Sequence, residues 1–217
     1  KIVELLDELS PEAQLIGAVN TVLNDNGKLI GYNTDGYGFM QSVRDAGHDI
    51  TGKNITVMGV GGASMAICAQ SALDGAASVH IFARRTSRYW NRTQKFAENL
   101  SAKTGCQVCL FDNDDHTALR DSIAQSYLLI NATSVGMVPD IDDTIIKDTS
   151  LFHPELVVAD VVYEPQETRL LREAKATGCQ TFNGMYMLLH QGAKAFQIWT
   201  GQEMPVSVIK EKYFSVK

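Results

Sequence analysis

The sequence has no long apolar run, no excess of basic charge and few cysteines. No segment approaches the ~18 consecutive apolar residues typical of a membrane-spanning helix, so we predict no membrane partner. The chain carries 19 Lys and Arg against 25 Asp and Glu, a net charge of −6. This balance argues against nucleic acid as a partner, since nucleic-acid-binding surfaces are basic. With 217 residues, 45% hydrophobic and 20% charged, the chain is typical of globular proteins.

The four cysteines are too few and too scattered for a disulfide framework or a zinc site. Cys106 and Cys109 form a C-x-x-C pair, a spacing found in metal and redox sites. The pair lies in CQVCLF (106–111), which predicts a buried strand whose residues three apart point to opposite faces. No second pair would complete a metal site. We therefore predict no metal and reduced cysteines, as in a cytoplasmic protein.

Six short apolar segments alternate with helical patterns along the middle of the chain. Such alternation predicts an α/β fold with a doubly wound parallel sheet that is covered by helices on both faces. Sheets of this kind bind ligands beyond the carboxyl ends of their strands. The predicted strands cover residues 54–58, 78–82, 106–111, 127–131, 156–163 and 179–182.

The two ends of the chain do not follow this alternation. AVNTVLNDNGKLIGYN contains two β-like runs around an Asn-Gly dipeptide and predicts a hairpin. MYMLLHQGAKAFQIW, near the other end, predicts a long helix. We assign both ends to a second domain, most of which is expected to precede Lys1. The predicted division is 1–34, 35–186 and 187–217.

A glycine-rich turn, GVGGAS, follows the first of the six strands and opens a helix. Gly59 suits a tight turn from strand to helix. At Gly61 and Gly62 a Cβ would block the approach of a pyrophosphate, and the helix that begins near Ala63 points free N–H groups at the anion. Ser64 stands where the usual G-x-G-x-x-G pattern has its last glycine. The turn favours dinucleotide binding over a plain connection.

The end of the second strand bears on the choice of cofactor. NAD-binding sites usually have an acidic residue here for the ribose hydroxyls. This chain has ARRTSR instead, with Arg84, Arg85 and Arg88. Arginine suits a 2′-phosphate, which it grips through two N–H groups. NADP is therefore favoured; the alternative is a solvated basic loop.

Six motifs lie along the chain: GAVNT (17–21), YNTDG (32–36), GVGGAS (59–64), NATSVGM (131–137), VVYEPQET (161–168) and MLLHQGAKAFQIWTG (187–201). In the same order, and over nearly the whole chain, they resemble motifs of the shikimate and quinate dehydrogenases. The resemblance implies a small substrate-binding domain, a Rossmann-like domain for NAD(P), and last helices that return to the first domain. It also implies an oxidoreductase that interconverts shikimate and 3-dehydroshikimate in aromatic amino acid (chorismate) biosynthesis, as a cytoplasmic monomer or homodimer.

By this resemblance, Asp35 in YNTDG is the acid of a catalytic Lys–Asp pair at the crossing between domains. A lowered-pKa amine and an orienting carboxylate can relay the proton that leaves an oxidised alcohol. A plain turn is the simpler interpretation of the flanking glycines. Lys1 lies too close to Asp7 to match the family's lysine, which we expect before residue 1. We therefore expect the 217-residue chain alone to be inactive.

The resemblance carries further roles. Asn20, Tyr163 and Gln191 are expected at the substrate, although a hairpin amide, a core aromatic and an exposed helix residue are the simpler interpretations. The remaining cofactor contacts are expected from Asn131, Thr133, Gly184 and Met187.

Some positions depart from the family pattern. Many relatives have Asn where Ala83 stands, and NAD-using quinate-type relatives have Asp where Thr86 stands. NADP therefore comes first, with NAD as the alternative, and quinate is an alternative substrate. A non-catalytic dinucleotide-binding module is the alternative from another class. A folate-linked dehydrogenase is disfavoured by GAVNT and YNTDG.

Overall fold

A computed structural model describes residues 2–214, and its centre is a six-stranded parallel sheet. The strand order is β6-β5-β4-β7-β8-β9, the order of a Rossmann-type sheet. The predicted doubly wound α/β fold is thus confirmed. In chain order the strands are β1 Glu8–Leu9, β2 Thr21–Asp25, β3 Lys28–Tyr32, β4 Asn54–Met58, β5 Ser78–Ala83, β6 Gln107–Asp112, β7 Leu128–Asn131, β8 Val157–Asp160 and β9 Gln180–Phe182.

Helices cover both faces of this sheet. Successive strand residues point to opposite faces, so Val57 packs into one apolar core and Met58 into another on the other side. This explains why the strands carry runs of apolar residues rather than alternation. The helices are α1 Pro11–Ile16, α2 Asp35–Asp45, α3 Gly62–Leu73, α4 Trp90–Thr104, α5 His116–Gln125, α6 Arg169–Ala176, α7 Met185–Thr200 and α8 Val206–Ile209.

The N-terminal part forms a separate three-stranded sheet in the order β1-β3-β2. Asp25 pairs with Lys28, and the two residues between them, Asn26 and Gly27, both have positive φ. This geometry belongs to the tight hairpin turn that the Asn-Gly dipeptide predicts, so the predicted hairpin is confirmed. The short helix α1, capped by the Ser10 hydroxyl, was not among the predicted elements.

Helix α2 lies between α3 and α7, and two of its glycines make this packing possible. A Cβ on Gly36 would come within 2.3 Å of the Ala66 carbonyl oxygen in α3. A Cβ on Gly38 would come within 2.7 Å of backbone atoms of Met187 and Gln191 in α7. The glycines of YNTDGYG therefore allow close helix packing, in addition to any role in shaping the crossing.

Several predicted boundaries were wrong. The strand predicted over 156–163 ends at Asp160, because the Val162 N–H donates to the Asp160 side chain instead of to a neighbouring strand. Tyr163 therefore follows the strand rather than ending it. Glu8 and Leu9, for which no strand was predicted, pair with β3 as a strand. The position of Lys1 lies outside the described residues.

Within residues 2–214, no helix is both long and apolar enough to cross a membrane. The same residues contain no group of three or more His, Cys, Asp or Glu side chains placed to hold a metal ion. All four cysteines are free, and Cys106 and Cys109 lie at and within the edge strand β6.

Candidate functional site

The glycine-rich turn lies between β4 and α3, at the carboxyl end of the central strand. Gly59 has φ +113°, and a Cβ there would come within 2.9 Å of Ala132 and Thr133, so this position requires glycine. Gly61 and Gly62 have no atom within 4 Å of an added Cβ and border open space. The first turn of α3 leaves N–H groups without helical partners facing this space.

One cavity, which we call the Arg84 cavity, lies on one side of the turn. Its volume is about 860 Å³, and its wall includes Gly59, Gly61, Arg84, Arg88 and Thr133. The two arginines follow the end of β5, beside β4 in the sheet. Polar groups that can hold an anion therefore meet the glycine turn at the sheet edge where this fold class binds ligands.

The three arginines of ARRTSR have different surroundings. Arg84 and Arg88 line the Arg84 cavity, and Arg88 also lies over the Tyr89 ring and donates to its hydroxyl at 2.6 Å. Arg85 is not among the cavity-lining residues; its guanidinium lies 4.6 Å from the centre of the Trp90 ring. The structure thus places two of the three arginines where a ligand phosphate could reach them.

A second cavity, the Tyr163 cavity, lies on the other side of the turn. It has a volume of about 600 Å³, and the two cavities share Gly61 and Thr133. One wall is the loop after β7, and the other is the loop after β8, which carries Tyr163. Tyr163 is 43% exposed, which excludes the core-aromatic interpretation. Together the cavities form a cleft across the glycine turn.

Asp35 begins α2, and its carboxylate is held by Asn20, the residue directly before β2. The Asn20 amide donates to Asp35 Oδ1 at 2.9 Å and to Thr34 Oγ1 at 3.1 Å. The Asn20 carbonyl oxygen accepts from the Thr34 N–H at 3.0 Å, and the Asn33 side chain accepts from the Asp35 N–H at 3.1 Å. These contacts fix the start of α2 against the hairpin. The Asn20 side chain thus links the hairpin to Asp35 at the start of α2.

Burial raises the pKa of Asp35 above its usual range, and the Asn20 hydrogen bond opposes that shift. Among residues 2–214, Asn20 supplies the only side-chain hydrogen bond to the Asp35 carboxylate, and no lysine forms an ion pair with it. A partly desolvated carboxylate of this kind suits proton transfer, because its pKa is shifted toward neutral pH.

Other predicted contacts lie outside the walls of the two cavities. Ser64 is buried, and its hydroxyl donates to the Gly59 carbonyl at 2.6 Å, so it closes the turn. Asn131 is buried with its amide bonded inside the protein, to Val135, Asp160 and Thr133.

The three predicted residues at and within α7 also lie outside these walls. A Cβ on Gly184 would come within 2.0 Å of the Val161 carbonyl oxygen. Met187 is buried in the core. Gln191 lies one helical turn further along α7, beside Gly38.

Sequence reasoning missed several residues of the cleft. Thr86, Ser87 and Asn113 line the Arg84 cavity, and Thr34 shares the Asn20 network. Arg92 lines a smaller groove of about 140 Å³ that also borders Gly61 and Gly62. Thr86 and Ser87 lie within the ARRTSR motif, so their position alone could have identified them.

The sheet order, the open glycine turn and the paired cavities define a Rossmann-like protein with a second, smaller α/β segment. Residues 184–212 match the family model described as the shikimate 5'-dehydrogenase C-terminal domain. Shikimate dehydrogenase (NADP(+)) from Listeria innocua is 53% identical over 96% of this chain and 72% of its own length. The chain belongs to the shikimate dehydrogenase family.

Two further comparisons agree. A crystal structure of shikimate 5-dehydrogenase from Listeria monocytogenes, in complex with shikimate and NAD, matches with a TM-score of 0.94 and 51% identity. The match covers 97% of this chain and 73% of that chain. Quinate/shikimate dehydrogenase from Escherichia coli is 42% identical over 96% of this chain and 72% of its own length.

Proposed function

We propose that this protein interconverts shikimate and 3-dehydroshikimate with NADP(H), as a step of chorismate and aromatic amino acid biosynthesis. The observation that carries the proposal is the placement of Asp35. Its carboxylate is part-buried and bridged by Asn20 at the start of α2, where the small sheet meets the larger one. A solved relative from Listeria monocytogenes, in complex with shikimate and NAD, supports the substrate class.

The residues of the cleft fit a dinucleotide. The open space at Gly61 and Gly62 would admit the pyrophosphate against the N-terminus of α3. Arg84 and Arg88 would hold the 2′-phosphate in the Arg84 cavity, and the apolar Tyr163 cavity would take the nicotinamide end. Asn131 would act on the cofactor indirectly, by orienting Thr133: the Asn131 side-chain oxygen accepts a hydrogen bond from the Thr133 hydroxyl at 2.6 Å. NADP supplies the hydride acceptor or donor when bound.

The chain's own chemistry in this reaction is proton transfer. Oxidation of a substrate hydroxyl releases one proton, which Asp35 would take up, directly or through an amine that it orients. Asn20 holds Oδ1 in place, which leaves Oδ2 to face the reacting group. Tyr163 and Gln191 are proposed to contact the substrate ring from the loop after β8 and from α7.

Two alternatives have support of their own. A quinate/shikimate dehydrogenase that uses NAD or NADP is the first, because a relative at 42% identity is named quinate/shikimate dehydrogenase and a relative at 51% identity was solved with NAD. A non-catalytic dinucleotide-binding module is the second, because no lysine pairs with Asp35 within residues 2–214.

The domain division is proposed on the same basis. Residues 1–34 would complete the substrate side, 35–186 would bind the cofactor, and 187–217 would return to the substrate side. Contacts of α7 fit this division, since the Trp199 indole donates to the Val22 carbonyl of β2 at 3.0 Å. A cytoplasmic location and a monomeric or homodimeric state remain predictions.

The 217-residue chain is expected to bind NADP and to lack turnover of shikimate. The glycine turn and both arginines lie within it, whereas Asp35 has no amine partner among the described residues. Calorimetric titration with NADP, beside an assay of NADPH formation, measures both properties. Absence of NADP binding would contradict the cofactor proposal. Rapid shikimate oxidation would show that this chain itself supplies the partner of Asp35.

A further inference from the structure

A buried carboxylate, Asp160, lies behind the Tyr163 cavity and has no role in the reaction described above. It is the last residue of β8 and is fully buried. None of the salt bridges formed by residues 2–214 includes it. A buried charge without a cation is costly unless dipoles satisfy it, so its hydrogen bonds require an explanation.

Three donors from three separate segments converge on Asp160. The Asn131 amide at the end of β7 donates to Oδ1 at 3.0 Å, and the Val162 N–H donates to the same oxygen at 2.9 Å. The Thr168 hydroxyl, at the N-cap of α6, donates to Oδ2 at 2.8 Å. Burial raises the pKa of Asp160, and these donors oppose that shift. One side chain thus ties together both loops of the cavity and a helix start.

The consequences reach both walls of the Tyr163 cavity. Asn131 accepts from the Thr133 N–H and hydroxyl, so the first wall is oriented through it. Val162 is part of the second wall, directly before Tyr163. Gly184 packs closely against the same wall, since a Cβ on Gly184 would come within 2.0 Å of the Val161 carbonyl oxygen. The bonds to Asp160 therefore connect the two walls.

We propose that Asp160 is a positioning residue that sets the width of the Tyr163 cavity for the nicotinamide ring. The inference rests on the proposed function, since it assigns the nicotinamide to this cavity. Asp160 positions the walls through its hydrogen bonds rather than through its charge. An Asn side chain at this position would still accept hydrogen bonds from Asn131 and Val162. Its NH₂ group would donate to the Thr168 hydroxyl, which can accept as well as donate.

The test compares NADPH with adenosine 2′,5′-bisphosphate, which has the adenosine half of the cofactor and no nicotinamide. Asp160→Ala is expected to lower the affinity for NADPH about tenfold or more, because the substitution leaves buried hydrogen-bond donors without an acceptor. Affinity for the bisphosphate should change less than about twofold, since the hydrogen bonds to Asp160 involve neither Arg84 nor Arg88, the residues proposed to hold the 2′-phosphate. Asp160→Asn should restore most of the NADPH affinity. Both affinities are measured by calorimetry.

A matched pair of threonine variants covers the case in which Asp160→Ala does not fold. Thr168→Val removes one donor to Asp160, and Thr56→Val removes an equally buried hydroxyl that bonds to Ser122 and Ser126. Only Thr168→Val should raise the ratio of the NADPH dissociation constant to that of the bisphosphate.

Three results would overturn the inference: equal losses for the two ligands, no loss for either, or Asp160→Asn as weak as Asp160→Ala. Wild-type protein that binds neither ligand would instead refute the proposed function.

Discussion

Asp35→Asn is expected to lower turnover in the intact enzyme by about 10²-fold or more, the scale of a lost acid–base group. The variant keeps the shape of the side chain, and its carbonyl oxygen can still accept the Asn20 amide that now bonds to Oδ1. The start of α2 should therefore remain in place. Loss of activity would then report the missing proton-accepting oxygen. Initial rates of shikimate-dependent NADPH formation measure this effect.

Asp45→Asn provides the matched control. Asp45 ends the same helix, where it accepts from His190 Nε2 at 2.9 Å and borders a different groove. The Asp45→Asn substitution removes one carboxylate from α2 at a position outside the cleft, so turnover should stay close to the wild-type value. Unchanged turnover in Asp35→Asn would remove Asp35 from the mechanism. Equal losses in both variants would point to the stability of α2 instead.

Changing Arg84 and Arg88 together to Ala is expected to lower the affinity for NADP about a hundredfold and to leave the affinity for NAD almost unchanged. Each charge-assisted contact to a phosphate contributes roughly 1.5–3 kcal/mol, and screening in an exposed loop brings this toward the lower value. Two contacts of about 1.4 kcal/mol each give a hundredfold. Titrations of both cofactors against wild type and variant measure the preference.

Arg85→Ala is the control for this pair. Its guanidinium lies over Trp90 and outside the wall of the Arg84 cavity, so its loss should affect the two cofactors equally and weakly. If Arg84→Ala with Arg88→Ala weakens NAD as much as NADP, the arginines contact groups that the two cofactors share. The preference for NADP would then lose its main support.

Much of the fold could be predicted because the strong signals are local. The six strands are short apolar runs separated by helical patterns, and the Asn26-Gly27 turn is specified by its two residues. The glycine turn could be placed because it follows a strand and opens a helix. Helix α1 has only 6 residues, too few for a clear period. Its start is visible only as the Ser10-Pro11 pair.

The site was harder to predict, because its details depend on contacts between distant segments. Nothing in ARRTSR distinguishes Arg85 from Arg84; the difference arises because Trp90 at the start of α4 lies beneath Arg85. Asn131 has the sequence context of a ligand contact, yet Asp160 on the next strand engages its amide. Gly36 and Gly38 suggest a turn in the sequence, whereas the structure uses them where α2 meets α3 and α7.

The most direct test of the central claim is the initial rate of dinucleotide reduction by the intact enzyme, with each of two substrates and each of two cofactors. Shikimate and quinate are assayed with NADP and with NAD at matched concentrations. We expect the highest kcat/KM for shikimate with NADP and a marked loss when NAD replaces NADP. No NADP reduction in the presence of shikimate, by enzyme shown to bind NADP, would contradict the account.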